Sequence, residues 1–514
     1  MLRIVKVENG LVQGLPAADP RITSFKGIPF AEPPIGDNRW RAPQPAKNWD
    51  GTFLAFEFAP ISMQAQTALD KSNIYTREWA VDPEIPMDED CLYLNVWTPA
   101  CSADEKLPVL VWYFGGGLQV GNTAEMEFDG ERIARRGIVV VTVNYRLNVF
   151  GFLCHPEITA EAPQAPANFG NLDQQFATQW VKRNIAAFGG DPDNITIGGQ
   201  SAGGGSVLSQ LTSPQNNGLF HKAIIQSGII VKLYPGNRVP GIKHTFAEAE
   251  QCGVKFFEFL GTSSLAEARK LDAEYILNKS LEYPGSWDTW GTVADNQFCV
   301  GNAYKQFIEN RRWMVPVLLG HTSSEFFAVP NVSTPEEFRN LAVEMFGDDA
   351  QEYLALCESQ SESIDEVRKK ASVNSIEFAI RVAAQANSDT GANTPLYYYN
   401  FDAEIPGWDN PGTFHSVDLW FFFETLAKCW RPFVGKHYDL ARQMCNYWAN
   451  FIRSGDPNGK DSTGEDMPQW EPYTSDAPYA MVFADKAEFV RKPPDELMKF
   501  LVASRGFKLH RTGV

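Results

Sequence analysis

The apolar positions of this chain fall mostly in short continuous runs, at residues 109–113, 139–143, 195–197, 223–226, 315–319 and 396–401. Runs without polar alternation are the mark of strands buried on both faces, as in a parallel sheet. Between most of them lie stretches with helical spacing of apolar residues, such as 174–187, 245–260 and 363–386. Strands alternating with helices predict an α/β fold: a mostly parallel central sheet with helices on both faces. The N-terminal region reads differently. Residues 4–7, 10–14 and 22–26 are short strand patterns separated by turns, and they predict an antiparallel N-terminal edge to the same sheet. No internal repeat or Ser/Gly linker divides the chain, so residues 1–514 are expected to form one domain, with a helix-rich lobe over roughly 320–440.

Charge narrows the partners. The 514 residues carry a net charge of −18, which repels nucleic acid and anionic membrane and predicts neither as a partner. No apolar run approaches membrane-spanning length, and Met1-Leu-Arg-Ile-Val-Lys-Val7 alternates like a strand and lacks the apolar centre of a signal peptide. Eight cysteines are scattered without a C-x-x-C pair, a usage that predicts reduced thiols and a cytoplasmic location. Oligomeric state is left open. Residues 456–465, rich in Asp, Gly and Asn, lack the spacing of a calcium loop and are read as a solvated surface loop.

The candidate chemistry centres on Gly199-Gln-Ser-Ala-Gly203, set between the 195–197 strand pattern and a helical pattern at 206–211. In that setting G-x-S-x-G is a nucleophile elbow: glycines flank the serine because side chains there would collide as the backbone doubles back. Alone, the pentapeptide is a weak signal in a chain with 40 glycines. A serine also needs a histidine to take its proton and an acid to fix that histidine's tautomer, in the chain order nucleophile, acid, histidine. Of the histidines that follow Ser201 at useful distance (His244, His321, His415, His437, His510), His415 fits best. It stands on a Pro- and Gly-containing loop after the 396–401 strand and just before an aromatic stretch. Glu325 is the first carboxylate beyond the preceding strand, and Asp402 is its rival. Negative charge on a tetrahedral intermediate also needs hydrogen-bond donors. Residues 107–114 lead into Gly115-Gly-Gly117, so Gly116, Gly117 and Ala202 are the candidate oxyanion donors.

Further motifs carry a resemblance. Phe25-Lys-Gly-Ile-Pro-Phe-Ala-Glu-Pro-Pro-Ile-Gly36 with Arg39-Trp-Arg-Ala-Pro43, Glu89-Asp-Cys-Leu-Tyr-Leu-Asn-Val-Trp97, Asn144-Tyr-Arg-Leu147, Asn171-Leu-Asp-Gln174 and Phe188-Gly-Gly-Asp-Pro192 recur around the elbow. With them the chain resembles, over nearly its whole length, the type-B carboxylesterases, a family that includes cholinesterases and bacterial para-nitrobenzyl esterases. The resemblance implies an α/β-hydrolase fold, a triad of Ser201, Glu325 and His415, an oxyanion hole at Gly116, Gly117 and Ala202, and structural ion pairs Arg39–Glu89 and Arg146–Asp173. It also implies hydrolysis of small to medium apolar or aromatic esters through an acyl-enzyme, with a small-molecule ester as partner and no metal or organic cofactor. The alternatives are an amidase or lactonase using the same triad, or a non-catalytic adhesion-type member. The chain departs from the pattern at several points. Phe114 precedes the glycines where many members have His, Gln200 replaces an acid beside the nucleophile, and the usual Asp-Glu-Gly reads Ser324-Glu325-Phe326. Cys91 and Cys252 lack their usual disulfide partners, which also fits an intracellular member. Leu118, Gln200, Trp287, Trp290, Trp420, Phe421 and Phe422 are the candidate lining of the substrate pocket.

Overall fold

In the computed structural model, which describes all residues except 67–71, 80–81, 83, 236–244, 358–362, 492 and 507–514, an eleven-stranded sheet forms the centre. Its strands are β1 (Leu15–Pro16), β2 (Thr23–Pro29), β3 (Tyr93–Thr98), β4 (Leu107–Tyr113), β5 (Val139–Val143), β6 (Gly190–Gln200), β7 (Lys222–Gln226), β8 (Val317–Thr322), β9 (Leu396–Phe401), β10 (Tyr479–Phe483) and β11 (Ala487–Arg491). They lie in the order β11-β10-β9-β8-β7-β6-β4-β5-β3-β2-β1. From β5 to β10 all neighbours are parallel. Strands β3, β2 and β1 add antiparallel at one side and β11 at the other.

The continuous apolar runs thus become strands buried on both faces: every residue of β5, β7, β8 and β9 is buried. Covering helices include α1 (Phe169–Asn184), α2 (Ala202–Thr212), α3 (Ser375–Asp389) and α4 (Gly435–Ser454). Among the described residues no helix is long and apolar enough to cross a membrane.

Two expectations are corrected. The antiparallel N-terminal edge exists, but Ile4–Val7 and Gly10–Gln13 do not belong to it. They form a separate three-stranded sheet in which Gly10–Gln13 lies between Ile4–Val7 and Thr52–Leu54. The stretch 363–386 is not one helix. A helix Ile364–Lys370 ends, the two-residue strand Val373–Asn374 follows, and α3 starts anew. The Asn374 side chain accepts from the N–H groups of Ile376 and Glu377, capping α3 and making the break.

Two buried ion pairs fasten the loops around the sheet. Arg39 grips Glu89 through Nε at 2.7 Å and a terminal nitrogen at 2.5 Å. Arg146 binds Asp173 at 2.8 and 2.7 Å, and its backbone N–H donates to the same carboxylate. Each carboxylate is held by two guanidinium hydrogen bonds, so removing one member would strand a buried charge. These four residues hold the scaffold and lie apart from the chemistry.

Candidate active site

Ser201 sits in the turn between β6 and α2, with φ 56° and ψ −126°. A non-glycine residue there carries about 1–3 kcal/mol of strain that its surroundings must hold in place. They do so by close backbone contact. Its N–H donates to Gln226 O at 2.9 Å, and its carbonyl accepts from Gly205 N–H at 2.9 Å. A Cβ on Gly203 would lie 2.1 Å from Tyr113 O, and one on Gly199 would meet Gly203 C at 2.4 Å. The elbow is as tight as the two glycines require.

The Ser201 hydroxyl lies 2.8 Å from His415 Nε2, and His415 Nδ1 lies 2.5 Å from Glu325 Oε2. Three residues ninety or more positions apart therefore form one hydrogen-bonded chain. Ser201 projects from the end of β6, while Glu325 and His415 stand on the loops after β8 and β9. All three lie beyond the carboxyl ends of parallel strands, where open α/β sheets place their ligands. Glu325 Oε1 accepts from Ser227 Oγ at 2.5 Å and from Thr322 N–H at 2.9 Å. Burial pushes the Glu325 carboxyl up. The facing His415 and the hydrogen bonds from His415, Ser227 and Thr322 outweigh it and hold the group below the usual carboxylate range.

The loop after β4 passes in front of the serine. Gly116, Gly117 and Leu118 all have positive φ, at 103°, 66° and 63°. Glycine is required at the first of these because a Cβ would sit 2.0 Å from Val120 O. Ala202 opens α2, so its N–H has no intrahelical acceptor and lies at the positive end of the helix dipole.

The hydroxyl faces a cavity of about 1130 Å3 whose wall includes Gly116, Gly117, Leu118, Gln200, Ala202, Trp287 and His415. Gln200 points its amide at His415 Nε2, 3.3 Å away. Trp287, 54% exposed, stands at the mouth over Gly117. The remaining aromatic candidates lie elsewhere. Trp290 packs on Phe256, Trp420 donates to Glu78, Phe421 packs on Phe401, and Phe422 packs on Trp112. All four are core residues. From the short helix Asp418–Phe422, which carries three of them, Leu419 reaches the wall instead.

The other rivals have structural duties. His321 bonds Tyr398 and the Thr322 carbonyl, His437 bonds the Glu404 carbonyl and Val434 N–H, and Asp402 is exposed at the end of β9. His244 and His510 lie outside the described residues.

Sequence reasoning missed Ser227, Phe326 and the pair Glu125 and Glu127. Ser227 was the most accessible of these, since it directly follows a core strand at the carboxyl end of the sheet. Phe326 lies with its ring 4.6 Å from that of His415. Glu125 and Glu127 share the cavity wall. Burial raises Glu125 to about 7, and burial with the neighbouring Glu125 carboxyl raises Glu127 well above the usual carboxylate range.

Known proteins resemble this chain over most of their length. The chain is 30% identical over 480 residues to fumonisin B1 esterase of Sphingopyxis macrogoltabida, covering 90% of this chain and 84% of that one. It is 29% identical over 535 residues to carboxylesterase 1C of Mus musculus, covering 96% and 92%. Among solved structures it resembles the Geobacillus stearothermophilus carboxylesterase EST55, with TM-score 0.74 and 30% identity over 96% of this chain and 98% of that one. A PNB esterase matches with TM-score 0.77 and 26% identity over 97% and 99%. The model of the carboxylesterase family matches residues 2–500, and the chain belongs to that family, with its α/β-hydrolase fold and its activity as a type-B carboxylic ester hydrolase.

Proposed function

We propose that this esterase works through a serine acyl-enzyme, with Ser201 as nucleophile, His415 as general base and acid, and Glu325 as the group that orients His415. The observation that carries the reading is the continuous chain Ser201–His415–Glu325, at 2.8 and 2.5 Å, opening onto one large cavity. His415 removes the hydroxyl proton as Ser201 Oγ attacks the ester carbonyl. The oxyanion is held by the N–H groups of Gly116, Gly117 and Ala202. His415 then gives the proton to the departing alcohol. Water enters, loses a proton to His415 and attacks the acyl carbonyl. The proton returns to Ser201 Oγ as the acid leaves. The wall favours esters with small to medium apolar or aromatic groups, through Leu118, Leu208, Ile229 and Trp287.

The test is hydrolysis of para-nitrophenyl acetate, butyrate and octanoate by the wild type and by Ser201→Ala. The variant is expected to lose about 10⁴-fold or more in kcat. A Ser201→Ala protein that keeps more than a tenth of the wild-type rate would overturn the assignment.

A further inference from the structure

We infer that Phe326 is a positioning residue that keeps His415 in register during the second half of the reaction, after Ser201 has been acylated. The inference rests on the proposed serine mechanism.

Phe326 follows Glu325 directly, and the two neighbours hold one imidazole by different means. The Glu325 carboxylate takes Nδ1 in the plane of the ring, and the Phe326 ring packs against it with centroids 4.6 Å apart at 43°. Phe326 is 43% exposed and lines the same cavity as Ser201. Its backbone is pinned although its ring is half free. The Phe326 carbonyl accepts from Ser375 N–H at 3.1 Å and from Ser375 Oγ at 2.6 Å, at the start of α3. Phe327 continues into a strand pair with Asn374, and Ser324 bridges to Phe414, the residue before His415. The ring is therefore delivered to the imidazole by a loop fastened on both sides.

In the resting enzyme His415 is also tied to Ser201 Oγ at 2.8 Å. Acylation ends that bond, because the serine oxygen gives up its proton to the leaving alcohol. The ring then keeps the Glu325 bond at Nδ1, but that bond alone does not fix the tilt of the ring about it. Packing against Phe326 opposes the tilt while the Nε2 edge waits for water. The Gln200 amide, 3.3 Å from Nε2, is a longer contact and a weaker restraint. A misplaced base costs rate steeply, so deacylation should suffer more than acylation when the Phe326 ring is removed.

The experiment is stopped-flow hydrolysis of para-nitrophenyl acetate by wild type, Phe326→Ala, Phe326→Leu and Phe326→Tyr. Inactivation by phenylmethanesulfonyl fluoride serves as a separate measure of acylation. Phe326→Ala is expected to lower kcat about tenfold and to release a burst of para-nitrophenol near one equivalent per enzyme. Its sulfonylation rate should stay within about threefold of wild type. Phe326→Tyr should restore kcat, and Phe326→Leu should fall between. If kcat stays within twofold, if KM alone changes, or if sulfonylation falls as far as kcat with no burst, the inference is overturned. Should Phe326→Ala fail to fold by thermal melting, Phe326→Leu decides by the same criteria. Failure of the serine mechanism itself would appear separately, as retained activity in Ser201→Ala.

Discussion

Ser227→Ala tests whether the charge on Glu325 is held by the network seen around it. Three donors serve this buried carboxylate: His415 Nδ1 at 2.5 Å, Ser227 Oγ at 2.5 Å and Thr322 N–H at 2.9 Å. Alanine deletes one and supplies no donor in its place at this buried carboxylate. A hydrogen bond to a charged group contributes about 1.5–3 kcal/mol, so the variant should be less stable by about that amount at pH 7.5. The pH dependence gives the sign. The Glu325 carboxyl is held below its ordinary value in the folded protein. Its contribution is therefore present above about pH 4.3, the unfolded value, and is lost as pH falls through the folded one. Losing Ser227 weakens that depression, so the urea midpoints of wild type and variant should differ at pH 7.5 and converge only once pH falls below the folded value of Glu325. Activity should fall about tenfold through poorer orientation of His415, well short of the loss in Ser201→Ala. A stability gap of the same size at both pH values would show that Ser227 acts by packing alone, and equal midpoints at pH 7.5 would refute the reasoning outright.

Two other perturbations separate steric from electrostatic demands. Gly203→Ala would place a Cβ 2.1 Å from Tyr113 O, backbone against backbone. It is expected to cost more than about 4 kcal/mol and to lower the yield of soluble protein or the Tm sharply, whereas a melting curve like that of wild type would remove the steric account of the elbow. Glu127→Gln addresses the carboxyl pair in the cavity wall. Glu125 is raised from 4.5 to about 7 and Glu127 is raised as well, so the unfolding chain releases protons that the folded one keeps, and stability falls as pH rises from about 4.5 to about 7. The drop from Glu125 alone is about 3 kcal/mol; Glu127 adds to it, and Glu127→Gln should remove the added part in melts between pH 5 and 8. A variant whose melting temperature follows pH as steeply as wild type would contradict the coupling.

What the sequence made legible here is what local sterics enforce. Gly199 and Gly203 are required wherever a serine is held at the crest of this turn, and Gly116 where a Cβ would sit 2.0 Å from the Val120 carbonyl oxygen, so the proposed nucleophile and oxyanion loop are readable as spacing. Chain order then restricted His415 and Glu325 to the loops after two identifiable core strands. The helix-to-cavity relation was not readable. Residues 418–422 make a helix of five residues, all buried, and so short an apolar segment has no polar face to tell which side chain meets a cavity and which meets the core. Nothing in the segment separates Leu419, which meets the cavity, from Trp420, Phe421 and Phe422, which meet the core. The same limit explains the detached N-terminal sheet, because alternation marks a strand without naming its partner. Thr52–Leu54, which pairs with Gly10–Gln13, is only three residues long. Ser227 and Phe326 illustrate the remaining case. Their importance lies in touching Glu325 and His415, across about ninety residues of chain, and only the parallel register of β6, β7, β8 and β9 brings those ends together. A side chain whose role is to hold another becomes visible only when the sheet has set the distance between them.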